Sequence, residues 1–192
     1  MRLRLALGAL LLIHLVVSPG CAAVIVAGGA TAAVVANDRR TLGVLIDDEN
    51  IEIKARARIA GDETLRENVH VNVTSLNGVV LLSGETAAAE QRDRVLARTR
   101  DVPGVRRTVN EIRIAAPAPF ASRSHDTLLT TKVKSRLLAT ENLDSANVKV
   151  VTESSVVYLM GLMKKDEAEK ATEATRDVGG VERIVKLFEY LD

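Results

Sequence analysis

Apolar and polar residues alternate at Val69-His70-Val71-Asn72-Val73-Thr74, the period-two pattern of a strand with one apolar face. Asn77-Gly78 follows, a strong hairpin turn, and Val79 to Ser83 is the return strand. Upstream, Asp47-Asp48 predicts the start of a helix that runs to about Ala60. Downstream, Thr86 to Arg100 is rich in Ala, Glu and Arg and predicts a second helix. Pro103-Gly104 stops it, and Val105 to Ile114 predicts a third strand. The order is α-β-β-α-β.

The chain then states the order again. A helix is predicted at 127–140, strands at 148–152 and 156–162, a helix at 165–178 and a strand at 181–190. Residues 48–114 and 126–190 run in parallel. Lys54-Ala55-Arg56-Ala57-Arg58-Ile59 answers to Lys132-Val133-Lys134-Ser135-Arg136-Leu137. Val79-Val80-Leu81-Leu82-Ser83-Gly84 answers to Val156-Val157-Tyr158-Leu159-Met160-Gly161, and Asp101-Val102-Pro103-Gly104-Val105 to Asp177-Val178-Gly179-Gly180-Val181. The fold class is therefore α+β: two tandem α-β-β-α-β domains, each a three-stranded mixed sheet with two helices on one face. The first spans 41–115 and the second 124–192. Residues 116–123 form the linker, extended by Pro117 and Pro119. Each copy is near the lower size limit for an independent core, so the two are expected to pack on each other or share support.

The first 20 residues have the layout of a secretory leader. Arg2 and Arg4 precede the apolar run Leu5 to Val17, and Ser18-Pro19-Gly20 breaks the helix before Cys21. Gly20-Cys21 resembles the end of a bacterial lipobox, in which the cysteine thiol is acylated and becomes the new N-terminus. Ser18 and Pro19 depart from the usual Leu and Ala or Ser, so an ordinary signal peptide with an incidental cysteine stays open. An uncleaved anchor is the other alternative, because Ala22 to Ala36 is also apolar. That run is short for a membrane span, and Gly28 and Gly29 interrupt it. Residues 21–40 are expected to form an apolar, flexible linker.

Two α-β-β-α-β units behind such a leader resemble the BON-domain family of bacterial lipoproteins. The resemblance covers essentially the whole chain. It rests on Gly20-Cys21, Asn72-Val73-Thr74, Val109-Asn110-Glu111-Ile112-Arg113, Asp126-Thr127, Thr130-Thr131-Lys132-Val133 and Leu159-Met160-Gly161-Leu162. It implies a non-enzymatic outer-membrane protein, held by acyl chains (palmitate among them) on Cys21 and facing the periplasm. It implies binding of anionic phospholipid such as phosphatidylglycerol or cardiolipin, a role in envelope integrity and recruitment to division sites. Ala22, in place of the Asp that retains lipoproteins in the inner membrane, fits transfer outward. Two or three acyl chains hold such a protein firmly, where one alone is marginal.

The copies differ most in their first helices. At 100° per residue, Leu129, Val133 and Leu137 share the stripe that should face the sheet. Leu128, Thr131, Ser135 and Leu138 lie opposite, flanked by Lys132 and Lys134. An apolar or hydroxylic face bordered by cations suits shallow insertion among headgroups, with lysine stems reaching to phosphates. The first copy places Asn50, Ile53, Ala57 and Ala60 there, flanked by Lys54 and Arg56. Asp47, Asp48, Glu49 and Glu52 gather at its start and should repel anionic lipid. Arg123 and His125 precede the second helix, and Asp126 is its one acid. Thr127, Leu128, Thr131, Lys132, Lys134, Ser135 and Leu138 are thus the candidate lipid-binding residues. The family pattern has Trp where this chain has Leu128. Leucine keeps apolar area but lacks the amphipathic ring, which lowers the lipid affinity expected. Two alternatives stay open: Leu128 and Leu138 pack on the first domain, or the helix or an edge strand binds outer-membrane assembly or peptidoglycan-associated proteins.

Charge and cysteine content bound the rest. The chain is nearly neutral and loses two arginines with its leader, so it lacks the basic field expected of a nucleic-acid binder. A single cysteine excludes a disulfide within the chain. His70 and His125 have no companion His or Cys in the folded region, so no metal site is expected. Asn72-Val73-Thr74 matches a glycosylation acceptor only by coincidence, in a strand behind a bacterial-type leader. Gly28-Gly29 lacks the lysine of a phosphate loop, and Gly179-Gly180 reads as a helix stop. No catalytic constellation and no cofactor motif is present in the sequence.

Overall fold

A helix begins at Leu42 because Thr41 accepts a hydrogen bond from the Val44 N–H at 3.4 Å. It ends where the Gly61 N–H closes on the Ala57 carbonyl at 2.9 Å. This is α1 (Leu42–Ala60) in a computed structural model that describes residues 38–191. Then follow β1 (Val69–Leu76), β2 (Val79–Thr86), α2 (Ala89–Arg100) and β3 (Arg107–Ile114). The second copy has α3 (Phe120–Leu138), β4 (Lys149–Glu153), β5 (Val156–Met163), α4 (Lys165–Arg176) and β6 (Arg183–Tyr190). In each sheet the middle strand pairs antiparallel with the first and parallel with the third. The expected mixed sheets and α-β-β-α-β order are present in both copies. Among the described residues no helix is long and apolar enough to cross a membrane. Cys21, the leader 1–20 and the apolar run 22–36 lie outside the described residues.

Alternate residues of each sheet face opposite ways, and both faces are used. One carries the helices: Val73, Val80, Leu82 and Ile112 pack with Ile51, Ala55 and Val95 in the first domain. Val150, Val157, Leu159 and Phe188 pack with Leu129, Val133, Leu137 and Ala171 in the second. The other faces meet each other. Leu76 and Leu81 of one sheet pack with Tyr158 and Met160 of the other, bordered by Val109, Val151, Val156, Val185 and Leu187. The result has four layers, with helices on both outer sides. The run Val79-Val80-Leu81-Leu82 is apolar without alternation because that central strand is buried on both faces. Burial also pushes the Tyr158 hydroxyl up to about 12, helped by nearby Glu111.

A polar rim surrounds this seam. Asn72 donates to Glu153 at 2.7 Å, Lys149 reaches Glu52 at 2.9 Å and the Ser75 carbonyl at 3.0 Å, and Arg183 reaches Glu111 at 3.0 Å. The polar side of β1 (His70, Asn72, Thr74), which alternation alone would turn to solvent, lies toward this seam. Buried Glu85 accepts from Arg113 at 2.5 Å, from Ser154 of the second domain at 3.1 Å and from the Ala118 N–H at 3.3 Å. It thus holds both domains and the peptide between them.

Three boundaries differ from expectation. Asp47-Asp48 does not cap α1, which begins five residues earlier because Thr41 supplies the cap. Residues 116–123 are not all linker: α3 begins at Phe120, directly after Pro119. The last residues of the 21–40 segment are in contact with the second domain. Arg39 makes a paired contact with Glu167 of α4, both distances 2.6 Å, and its N–H meets Asn147 at 3.2 Å. The Arg39 guanidinium holds the Glu167 carboxyl down at about 2. A carboxyl whose pKa falls on folding stabilises the fold above its unfolded value and loses that contribution as pH falls through its folded one. Acid unfolding of the native chain and of Glu167→Gln should therefore converge between about pH 4.3 and about pH 2, with a constant gap above.

Candidate functional site

Helix α3 spans 19 residues, about 28 Å at 1.5 Å per residue. Its inward stripe is Asp126, Leu129, Val133 and Leu137, all buried. Asp126 does not cap the helix. Its carboxylate accepts the backbone N–H groups of Ser154 at 2.8 Å and Ser155 at 2.9 Å. Those serines form the β4–β5 turn, both at positive φ, 50° and 61°. In the first copy Asp48 does the same for Asn77 at 2.8 Å and Gly78 at 2.9 Å, and also accepts from Ser75 at 2.6 Å and Arg40 at 2.7 Å. The equivalent aspartates fasten each first helix to its own hairpin turn and so fix which way the outer helix face points.

That outer face holds all seven candidate residues. Thr127, Leu128, Thr131, Lys132, Lys134, Ser135 and Leu138 are exposed. Leu128 is 63% and Leu138 76% exposed, so neither packs on the first domain. The Thr127 hydroxyl donates to the Arg123 carbonyl and the Thr131 hydroxyl to the Thr127 carbonyl, each at 3.0 Å. With these donors turned back onto the helix, the face sheds water more readily than its threonines suggest. Among the described residues Arg123, Lys132 and Lys134 make no ion pair, while Arg136 meets Asp177 at 3.1 Å.

Sequence reading missed Phe120. It is 78% exposed and stands five helical turns before Leu138 on the same face. The signal was Pro119: proline marks the first turn of a helix as readily as it marks a linker. Reading back from Leu138 through Ser135, Thr131, Thr127 and Ser124 leads to Phe120. The contrast with α1 also changes in detail. Asp48 and Glu52 are buried and point inward, so they do not crowd the outer face. Glu52 accepts from the Ser75 N–H at 2.8 Å and from Arg56 at 2.5 Å. Asp47 and Glu49 remain exposed. On α3 no acid faces outward, since Asp126 is its one acidic residue.

The chain is similar in sequence to known proteins. The model of the BON domain family matches residues 47–116 and 125–192. The chain is 36% identical over 173 residues to the outer membrane lipoprotein DolP of Haemophilus influenzae, covering 90% of each. It is 32% identical over 154 residues to the 21 kDa hemolysin of Actinobacillus pleuropneumoniae, covering 80% of this chain and 79% of that one. It is 25% identical over 146 residues to the osmotically-inducible protein Y of Escherichia coli, covering 74% and 72%.

Proposed function

We propose, on the premise that this chain belongs to the BON domain family, that it is a non-enzymatic outer-membrane lipoprotein. Acylated Cys21 anchors it, the folded domains face the periplasm, and α3 binds anionic phospholipid, phosphatidylglycerol or cardiolipin. In this role it supports outer-membrane integrity, at division sites among others. The observation that carries the reading is the outer face of α3: exposed Phe120, Leu128 and Leu138, with Arg123, Lys132 and Lys134 making no ion pair among the described residues and no acid on that face. The similarity to a protein named as an outer membrane lipoprotein supports the anchor and its location.

Such a helix lies in the interface rather than across it. Each cation near an anionic surface contributes about 1 kcal/mol. Each large apolar side chain moved fully out of water contributes about 1.5–3 kcal/mol. The reading is tested by flotation of the Cys21→Ser chain, without its leader, on vesicles with and without phosphatidylglycerol. Lys132→Glu removes and reverses one cation, and Leu128→Glu removes one apolar contact. Together they should weaken binding by about 4 kcal/mol, roughly a thousandfold. Unchanged flotation of the folded double variant would remove α3 as the lipid site. Phe120→Ser should weaken binding without changing its dependence on salt.

A further inference from the structure

Helix α1 covers the opposite outer side of the four layers and also exposes apolar residues. Leu42, Ile46 and Ile53 are each more than half exposed, and Ala57 and Ala60 continue the stripe in small side chains. Charge along this face is divided by halves. On one flank Asp47 comes first and Lys54 seven residues later; on the other flank Glu49 comes first and Arg56 seven residues later. Seven residues is two turns, too far for either pair to meet within one helix.

We propose that this face pairs with the same face of a second copy, the two α1 helices antiparallel about a two-fold axis beside Ile51 and Glu52. A two-fold axis keeps each flank on its own side and reverses direction along the helix. Asp47 then meets Lys54 of the second copy and Glu49 meets its Arg56, and symmetry makes each contact twice. Large meets small along the centre: Ile46 lies against Ala57 and Leu42 against Ala60. A parallel two-fold arrangement would exchange the flanks and set Asp47 on Glu49 and Lys54 on Arg56, like on like, so the charge pattern selects the antiparallel one. Arg56 is half-exposed beyond its contacts to Glu52 and the Val73 carbonyl, and so presents charge outward. The pairing leaves α3 free on the far side of each copy, so it is compatible with membrane binding and does not depend on it.

Asn50 lies on this face within a turn of the axis, which places the two copies of it within reach of a short bis-maleimide. The full chain carrying Asn50→Cys should give a covalent dimer in membranes, and the chain without it should not. Lys54→Glu added to Asn50→Cys should lower the yield about tenfold by setting acid on acid. Asp47→Lys added to both should restore it. Far-ultraviolet circular dichroism confirms that each variant is folded, and these exposed positions leave the core untouched. A cross-link to a different protein, to Cys21, or to nothing would overturn the proposal. So would a triple variant that stays as low as the double.

Discussion

Asp126→Ala should lower the melting temperature by about 10 °C. The carboxylate is buried and receives two backbone N–H groups of the Ser154-Ser155 turn. A hydrogen bond to a charged group is worth about 1.5–3 kcal/mol, and an abandoned buried donor costs about as much as the bond was worth. The two bonds together set a loss of about 3–4 kcal/mol. For a chain of this size each kcal/mol moves the midpoint by about 2–4 °C. The turn itself makes Asp126 more consequential than Asp48 for its two shared bonds. Asn77-Gly78 adopts positive φ readily, whereas two serines at φ 50° and 61° do not. Asp126 receives the backbone N–H of both serines and so offsets that strain. Asp126→Asn retains one acceptor oxygen and should recover about half of the loss. Thermal denaturation by circular dichroism measures all three chains, and a shift below about 3 °C for Asp126→Ala would contradict the clamp.

Leu81→Asp should uncouple the two domains. Leu81 is fully buried, and it points to the partner sheet rather than to its own helices. Truncation of such a side chain costs about 2–5 kcal/mol, and an unpaired carboxylate in its place adds several more. The loss falls on the seam between Leu76, Leu81, Tyr158 and Met160. In the native chain, hydrogen exchange should therefore report the slowest amides of β2 and β5 opening together. In Leu81→Asp they should open separately, and protease should reach residues 115–119. Common opening in the variant would mean that the seam does not couple the domains.

The pattern of residues predicted the elements and their order because periodicity is local. Val69, Val71 and Val73 name a strand wherever they sit, and Asn77-Gly78 names its turn. What β1 turns its polar face toward is not local, and alternation alone does not say what covers His70, Asn72 and Thr74. The continuous apolar run at Val79 to Leu82 carried the missing information, since a strand apolar on both sides needs two covers. The acids of α1 show a second limit. Counting Asp48 and Glu52 as surface charge ignored their phase: both fall on the inward stripe with Ile51 and Ala55. The outward position of the seven residues on α3 was legible because phase was used there. Phe120 was lost because Pro117 and Pro119 together resemble an extended linker more than a helix start.

The contact between Arg39 and Glu167 has a mechanical meaning. If Cys21 is the anchor proposed above, tension along the chain enters the described residues at Asp38 and reaches Arg39. Two short bonds pass the load to the start of α4, in the second domain, and Arg40 passes the remainder to Asp48. Tension is thus shared by both domains before it reaches the first turn of α1. A moored body turns toward its mooring about the point where the line is tied. With the proposed anchor, that point lies on the domain that carries α3, and the mooring draws inward the domain that presents Arg123, Lys132 and Lys134.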